Sequence, residues 1–270
     1  MSASDGEHVV LFADILGFAA LTERNPLDVA MLQKRSRPLS LTSTEAWAMV
    51  GAPKNPLTET FAQFHYSLKW AIMTAEMSHA LTAITFSDSF FLASVRSSQV
   101  AKFAIDFAHS MLSAQIPVRM GMASGSFAAL RFRSDISGDS GDHAAQFLGT
   151  AVVRAYQAER CGIKGMRVLL HPSVEPLIAE WSGQGIECLT CSPAECSNQA
   201  GVRFELNYWD MAPGKERDAW HALQDMWAAA PSSAVIQYEA TAEAINRMRT
   251  SRGEVPLTNL QRRTLPRRRG

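Results

Sequence analysis

The sequence predicts an α+β fold, a ferredoxin-like βαββαβ sheet carried on by further C-terminal strand and helices. Three observations predict it. Val9-Val10-Leu11-Phe12-Ala13 is a short apolar run of the buried-strand type, ending on Asp14. The stretch Leu81 to Val95 reads as a hairpin, two β-rich runs broken at Ser87-Asp88-Ser89. Between and after these strands, apolar residues recur at helical spacing over 57–72 and 100–111, and a fourth strand follows at Pro117 to Ala123.

Gly17 stands where the first strand must turn into a helix, and Ala19 to Leu32 is compatible with one. Lys34 to Pro53 is irregular and polar, punctuated by Pro38, Gly51 and Pro53. Asn55-Pro56 then opens a helix, a capping side chain followed by Pro at the first helical position. Leu57, Phe61, Phe64, Leu68 and Ile72 give that helix one buried face as far as about His79. Ser97 or Ser98 can cap the next, whose apolar positions include Val100, Phe103, Phe107 and Met111. The strand from Pro117 ends in the small-residue turn Ser124-Gly125-Ser126, and Ser134 to Asp142 reads as a polar loop. Gly149 to Arg160 is helical, Met166 to His171 and Val202 to Trp209 are strands, and Glu216 to Trp227 and Ala234 to Met248 are helices. This order puts the helices of the βαββαβ part on one face of its sheet. Residues 1–165 form the core, with an insertion at about 33–55; residues 166–250 complete the same domain, and 251–270 are a basic, flexible tail.

A chain of 270 residues, 47% hydrophobic and 19% charged, buries a sizeable core. With 26 basic and 26 acidic residues the formal charge is zero, which argues against a nucleic-acid or membrane-surface partner. The stretch from Gln261 to Gly270 carries five Arg and no acid, and a solvated tail is its ordinary reading. No apolar run is long enough to span a membrane and no signal pattern opens the chain, so a cytoplasmic location is expected. The four cysteines are then reduced thiols. Cys188-x-x-Cys191 followed by Cys196 has no fourth ligand at suitable spacing, which argues against zinc.

Asp14 at the end of a strand has the backbone N–H groups of Leu16, Gly17 and Phe18 beside it. A carboxylate can hold a hard cation and free N–H groups can hold phosphates, so a nucleoside triphosphate with magnesium or manganese suits the place. The plain alternative is that Asp14 caps the following helix. The βαββαβ connectivity weighs against it, because it lays the first strand beside the hairpin and carries Asp14 and Asp88 to one end of neighbouring strands. Like charges brought together in this way repel unless a cation joins them.

Four segments in register resemble the class III nucleotidyl cyclases. Phe12-Ala13-Asp14-Ile15-Leu16-Gly17-Phe18 resembles their first metal motif, and Phe86-Ser87-Asp88-Ser89-Phe90 the second. Val118-Arg119-Met120-Gly121-Met122-Ala123-Ser124-Gly125 resembles the strand of alternating Gly and small residues that follows. Phe147-Leu148-Gly149-Thr150-Ala151-Val152-Val153 resembles the start of the catalytic helix. The resemblance spans roughly residues 8 to 160. It implies two Mn2+ or Mg2+ ions per site, held by Asp14, Asp88 and the carbonyl of Ile15, with attack of the ribose 3′-hydroxyl on the α-phosphate. Phe12, Leu16, Gly17 and Phe18 are then substrate-binding, as are the base-pocket positions Ile84 and Gln146.

The departures sharpen that reading. Adenylate cyclases of this family carry a base-reading Lys four residues before the second metal Asp, where this chain has Ile84, and an Asp where it has Gln146. The Glu and Cys of guanylate cyclases are absent from the same places. An amide such as Gln146 both donates and accepts, as a pyrimidine edge requires, although it can equally face solvent. The usual Asn and Arg of the catalytic helix fall on Val153 and Gln157, which leaves Arg119, Arg154 or Arg160 to stabilise the leaving group. The insertion, the missing purine code and the run Ala155-Tyr156-Gln157-Ala158-Glu159 are similar to the bacterial pyrimidine cyclases of Pycsar antiphage systems. That similarity implies a symmetric homodimer with sites shared between protomers, UTP or CTP as substrate with UTP favoured, and a separate cyclic-nucleotide-sensing effector that forms no stable complex. An adenylate cyclase with an unusual base pocket, and a degenerate domain that binds nucleotide without turnover, are the alternatives.

Overall fold

A computed structural model of the chain describes residues 7–26, 55–74, 81–132, 144–209 and 213–260. Strand β1 (Glu7–Ile15) is the axis of the molecule. Val9, Leu11 and Ala13 point into one hydrophobic cluster and Val10 and Phe12 into another. A strand covered on both faces must be apolar at successive positions, and this one is. Its two edges are taken by β3 (Ser89–Ser94) and β4 (Val118–Ser126), both antiparallel to it. With β2 (Leu81–Thr85) outside β3, the order β2-β3-β1-β4 is that of a βαββαβ unit. The sheet then runs on through β7 (Val168–Leu170), β9 (Phe204–Leu206) and β8 (Cys188–Thr190) to seven strands. β7 lies parallel to β4 and the remaining pairs are antiparallel.

On the first face lie α1 (Phe18–Arg24), α2 (Pro56–Thr74) and α3 (Ser97–Ser113). Phe64 of α2 and Phe103 and Phe107 of α3 meet Phe90 of β3 with ring centroids 5.1 to 6.1 Å apart, the two α3 rings edge to face. Asn55 starts α2 as its type predicts, Oδ1 accepting from the Leu57 N–H at 2.9 Å. The C-terminal helices α6 (Pro213–Ala229) and α7 (Ser232–Ser251) extend the same core through Ala219, Leu223, Ile245 and Met248. A short helix α5 (Ile178–Gly183) follows β7 after a 3-10 turn and buries Trp181. Beneath β7 and β9, the buried Arg167 guanidinium pairs with the buried Glu205 carboxylate, and Glu195 and Arg247 extend the network. Among the described residues no helix is long and apolar enough to cross a membrane.

The helices of the βαββαβ part thus share one face, as the connectivity predicts, and the second face carries α4 (Thr150–Glu159), which follows that part. Ala151, Ala155 and Ala158 form its inner side. Small residues bring the backbones close: a Cβ on Gly121 of β4 would lie 2.1 Å from the Ala155 carbonyl oxygen and 2.5 Å from the Glu159 nitrogen. A separate two-stranded ribbon, β5 (Ala128–Phe132) with β6 (Ala144–Leu148), follows β4.

Several local expectations change. Ser124-Gly125-Ser126 is not a turn; it continues β4, because Glu7 to Val9 of β1 supply partners for it. No side chain caps α3: Ser97 is its first residue, and its hydroxyl accepts from the Trp181 indole N–H at 3.1 Å. β5, β6, β8 and α5 are short elements of three to six residues, too short to carry a sequence period. The strands expected at Met166 to His171 and Val202 to Trp209 are shorter, and the two C-terminal helices are longer at both ends. The helix after Gly17 is described as far as Arg24; the rest of its expected length, the loop Lys34 to Pro53, the end of α2 toward His79 and the loop Ser134 to Asp142 lie outside the described residues.

Candidate active site

The C-terminal end of β1 and the β2–β3 hairpin meet at one rim of the sheet. Asp14 stands opposite Ser89 of β3 and opposite Arg119 of β4. Asp88, one residue before β3, is tied to the same rim through its carbonyl, which accepts from the Ile15 N–H at 2.9 Å. Two carboxylates distant in sequence are thereby neighbours, each half-buried. The capping alternative for Asp14 does not hold: Gly17 is the N-cap of α1, in the left-handed region at φ 79°, with no side-chain cap bond. The Leu16 N–H, expected free, donates to the Pro117 carbonyl at 2.8 Å. Gly17 and Phe18 sit where a helix's own ladder leaves N–H groups unused. Beside them lies a cavity of ≈ 450 Å³, bounded by Leu16, Gly17, Phe18, Gln115, Pro117 and Tyr238 among others.

α4 delivers a third carboxylate that the motifs did not single out. Glu159 is fully buried, and its Oε1 accepts from Arg119 Nε at 2.9 Å and Nη2 at 2.7 Å. The remaining Arg119 nitrogen donates to the Ile163 carbonyl at 3.1 Å. Arg160 places Nε 3.2 Å from Glu159 Oε2 and Nη2 4.0 Å from Asp14 Oδ2, while its guanidinium lies 5.4 Å over the Tyr156 ring. The signal for Glu159 was present in the helical spacing: Ala151, Ala155, Ala158 and Glu159 occupy one face, so the acid falls on the buried side. Burial, then the Glu159 carboxylate and the Asp88 carboxylate, push the Asp14 carboxyl up to about 6, against the smaller pull of Arg160 and Arg119.

One step in from the rim, Ile84, Phe91 and Phe12 form a row across β2, β3 and β1. The Phe12 ring meets Phe91 at 4.5 Å and Tyr156 at 5.5 Å, and Phe147 joins Phe91 and Phe86 at 5.0 and 6.0 Å, all with tilted rings. Gln146 precedes Phe147 in β6, opposite Leu130; its side chain lies outside the described residues. Arg154 is not brought to this rim. Its Nη1 donates to the Ser124 carbonyl at 3.0 Å, and Ser124 lies at the far end of β4 from Arg119, roughly 17 Å along the strand at about 3.4 Å per residue. Val153 and Gln157 are both exposed on α4. Among the described residues no group of three or more His, Cys, Asp or Glu is arranged to hold a metal ion. All four cysteines are free, and Cys161, Cys191 and Cys196 share a small cluster with Leu169 and Val202.

No protein-family model matches the chain and no curated protein matches it. Solved structures do. The guanylyl cyclase domain of the RhoGC fusion protein from the aquatic fungus Blastocladiella emersonii, described as a non-canonical dimer, is 14% identical, covering 74% of this chain and 95% of its own at a TM-score of 0.46. The adenylyl cyclase CyaB from P. aeruginosa is 15% identical, covering 74% and 93% at 0.43. An adenylate cyclase from Trypanosoma brucei in its monomeric state is 16% identical, covering 77% and 93% at 0.45. The chemistry of this chain has to be argued from its own rim.

Proposed function

We propose that the protein is a nucleotidyl cyclase of the class III type, converting a pyrimidine nucleoside triphosphate, UTP first, to the 3′,5′-cyclic monophosphate and pyrophosphate. The observation that carries this is the placement of Asp14 and Asp88 side by side at one rim, with Asp14 held high in its titration by burial and neighbouring acids. Such a surplus of negative charge suits a divalent cation, and the available donors, two carboxylates and backbone carbonyls, are the hard oxygens that Mg2+ or Mn2+ prefers. Asp14, Asp88 and the Ile15 carbonyl would hold a pair of them. When bound, they supply Lewis-acid activation of the ribose 3′-hydroxyl and neutralise the triphosphate.

The chain's own groups then orient and balance charge. The 3′-oxygen attacks the α-phosphorus, the bond to the bridging oxygen of the β-phosphate breaks, and pyrophosphate leaves as the hydroxyl proton passes to solvent. Gly17 and Phe18 offer backbone N–H groups to phosphate oxygens. Arg160, exposed at the rim, presents its outer nitrogens to the phosphates, whereas Arg119 is occupied by Glu159 and Ile163. Phe12 and Ile84 form an apolar floor for the base, and Gln146 reads its edge through an amide that both donates and accepts. Arg154 serves the second site of a homodimer, reaching it from the other protomer. The motif resemblance and the lack of a purine code support a role as second-messenger synthase in antiphage defence, read by a separate effector.

A second reading, nucleotide binding without turnover, is favoured by Val153 and Gln157 standing where the family has Asn and Arg. One experiment decides. Purified protein is incubated with each of the four nucleoside triphosphates and Mn2+, and products are weighed by mass spectrometry. Cyclic UMP is the expected product; cyclic CMP or cyclic AMP reassigns the base, and no cyclic product with any of the four establishes the second reading.

A further inference from the structure

Among the described residues, Glu159 is the one buried carboxylate at the rim that the reaction above does not use. It ends α4, where the helix dipole is negative and a buried acid is unfavourable without compensation. Two guanidinium groups compensate it, one on each oxygen. Arg119 fills Oε1 with two hydrogen bonds, and Arg160 stands at ion-pair distance from Oε2. Arg160 is therefore shared: its Nε end faces Glu159 at 3.2 Å while its Nη2 end stays 4.0 Å from Asp14, beyond hydrogen-bond reach. The Tyr156 ring one turn earlier supports the guanidinium plane from below. A mobile Arg beside a half-buried carboxylate would otherwise close on it and form the bidentate pair that such groups favour.

We propose that Glu159 is a positioning residue of the rim: by holding Arg160 at its Nε end, it keeps that guanidinium off Asp14, leaving the carboxylate open to a divalent cation and the outer nitrogens of Arg160 open to phosphate. This rests on the reading of Asp14 and Asp88 as cation ligands. The role is that of an outer partner to a ligand shell, which in metal sites commonly changes affinity by about 10- to 100-fold.

The test measures Mn2+ binding to the substrate-free protein by electron paramagnetic resonance, with thermal melting to confirm folding. Glu159→Gln keeps the volume and removes the charge, so Arg160 is released onto Asp14 and Mn2+ binding weakens about tenfold. Adding Arg160→Ala to that variant takes away the competing cation, and binding returns to within about twofold of the parent. Should Glu159→Gln fail to fold, Glu159→Asp keeps the charge and shortens its reach, and the same pair of effects is expected. Unchanged Mn2+ binding in the Glu159 variants, or a double variant as weak as the single, overturns the proposal. Asp14→Ala and Asp88→Ala test the underlying reading separately: Mn2+ binding that survives both shows the rim to be no cation site, whatever Glu159 does.

Discussion

At the scale of single residues, the rim turns on two acids with unequal surroundings. Replacing either Asp14 or Asp88 by Ala should cut cyclic nucleotide formation at least about a thousandfold, the scale that cation-mediated charge neutralisation carries in phosphoryl transfer. Neither side chain is part of the core, so far-UV circular dichroism and melting should show an intact fold; activity persisting in either variant contradicts the assignment. Asp14 also predicts a pH dependence of the cation-free protein. Its folded-state value, about 6, lies above the ordinary 3.8, so the folded state holds this proton more tightly than the unfolded chain. The stabilisation is full below about 3.8 and is lost as pH rises through about 6, on the order of 2 kcal/mol in all. Melting temperatures without added cation, followed from pH 4.5 to 7.5, should therefore fall further in the parent than in Asp14→Asn. Parallel profiles would show that Asp14 is not perturbed. These two acids were legible in the sequence because each closes an apolar strand-forming run. Glu159 was not read, because nothing in its own neighbourhood marks it except its phase with three alanines.

At the scale of elements, the close seat of α4 on β4 decides how the rim is built, since it sets Glu159 and Arg160 against Arg119 and Asp14. Gly121→Val tests this seat. Its first carbon alone meets the Ala155 carbonyl oxygen at 2.1 Å, and backbone cannot yield as a flexible side chain does. A destabilisation of about 1–3 kcal/mol or more is expected, read as a lower urea midpoint; an unchanged midpoint would mean that α4 lifts freely. The same contrast between local and tertiary causes explains which elements the sequence disclosed. β1 carries an unbroken apolar run, the hairpin two β-rich runs and α2 and α3 helical periodicity, signals that need no tertiary partner to be read. β8 has three residues, and β5 and β6 are rich in Ala, so neither had a pattern to read. Ser124-Gly125-Ser126 has the composition of a turn and becomes strand because β1 is long enough to pair with it, a case of partner overriding propensity. The placement of α4 on the second face follows from the small residues of its inner side and Gly121, a complementarity visible only once the two elements are known to meet.

At the scale of the whole molecule, the proposed reading completes each site from two protomers. Arg154 is bonded at the far end of β4, and the face beside α4 exposes apolar side chains that a lone chain leaves in water: Phe86 at 43%, Leu148 at 57%, Val153 at 56% and Tyr156 at 44%. A two-fold dimer through this face would cover them and would bring the Arg154 of each chain toward the acids of the other. Paired lesions test that arrangement more sharply than size alone. Asp14→Ala and Arg154→Ala each impair both sites of their own homodimer. Co-expressed, the two chains form mixed dimers in which one site inherits both lesions and the other inherits neither. With random pairing, half of the dimers are mixed and each has one sound site of two, so activity should recover to roughly a quarter of the parent level. The control pairs Asp14→Ala with Asp88→Ala. Both lesions then fall on the acid-bearing half of a site, every mixed dimer keeps one lesion in each site, and no recovery is expected. No recovery in the test pair would show that a single chain assembles its site alone, and recovery in the control would show that the Asp14 and Asp88 of one site come from different chains.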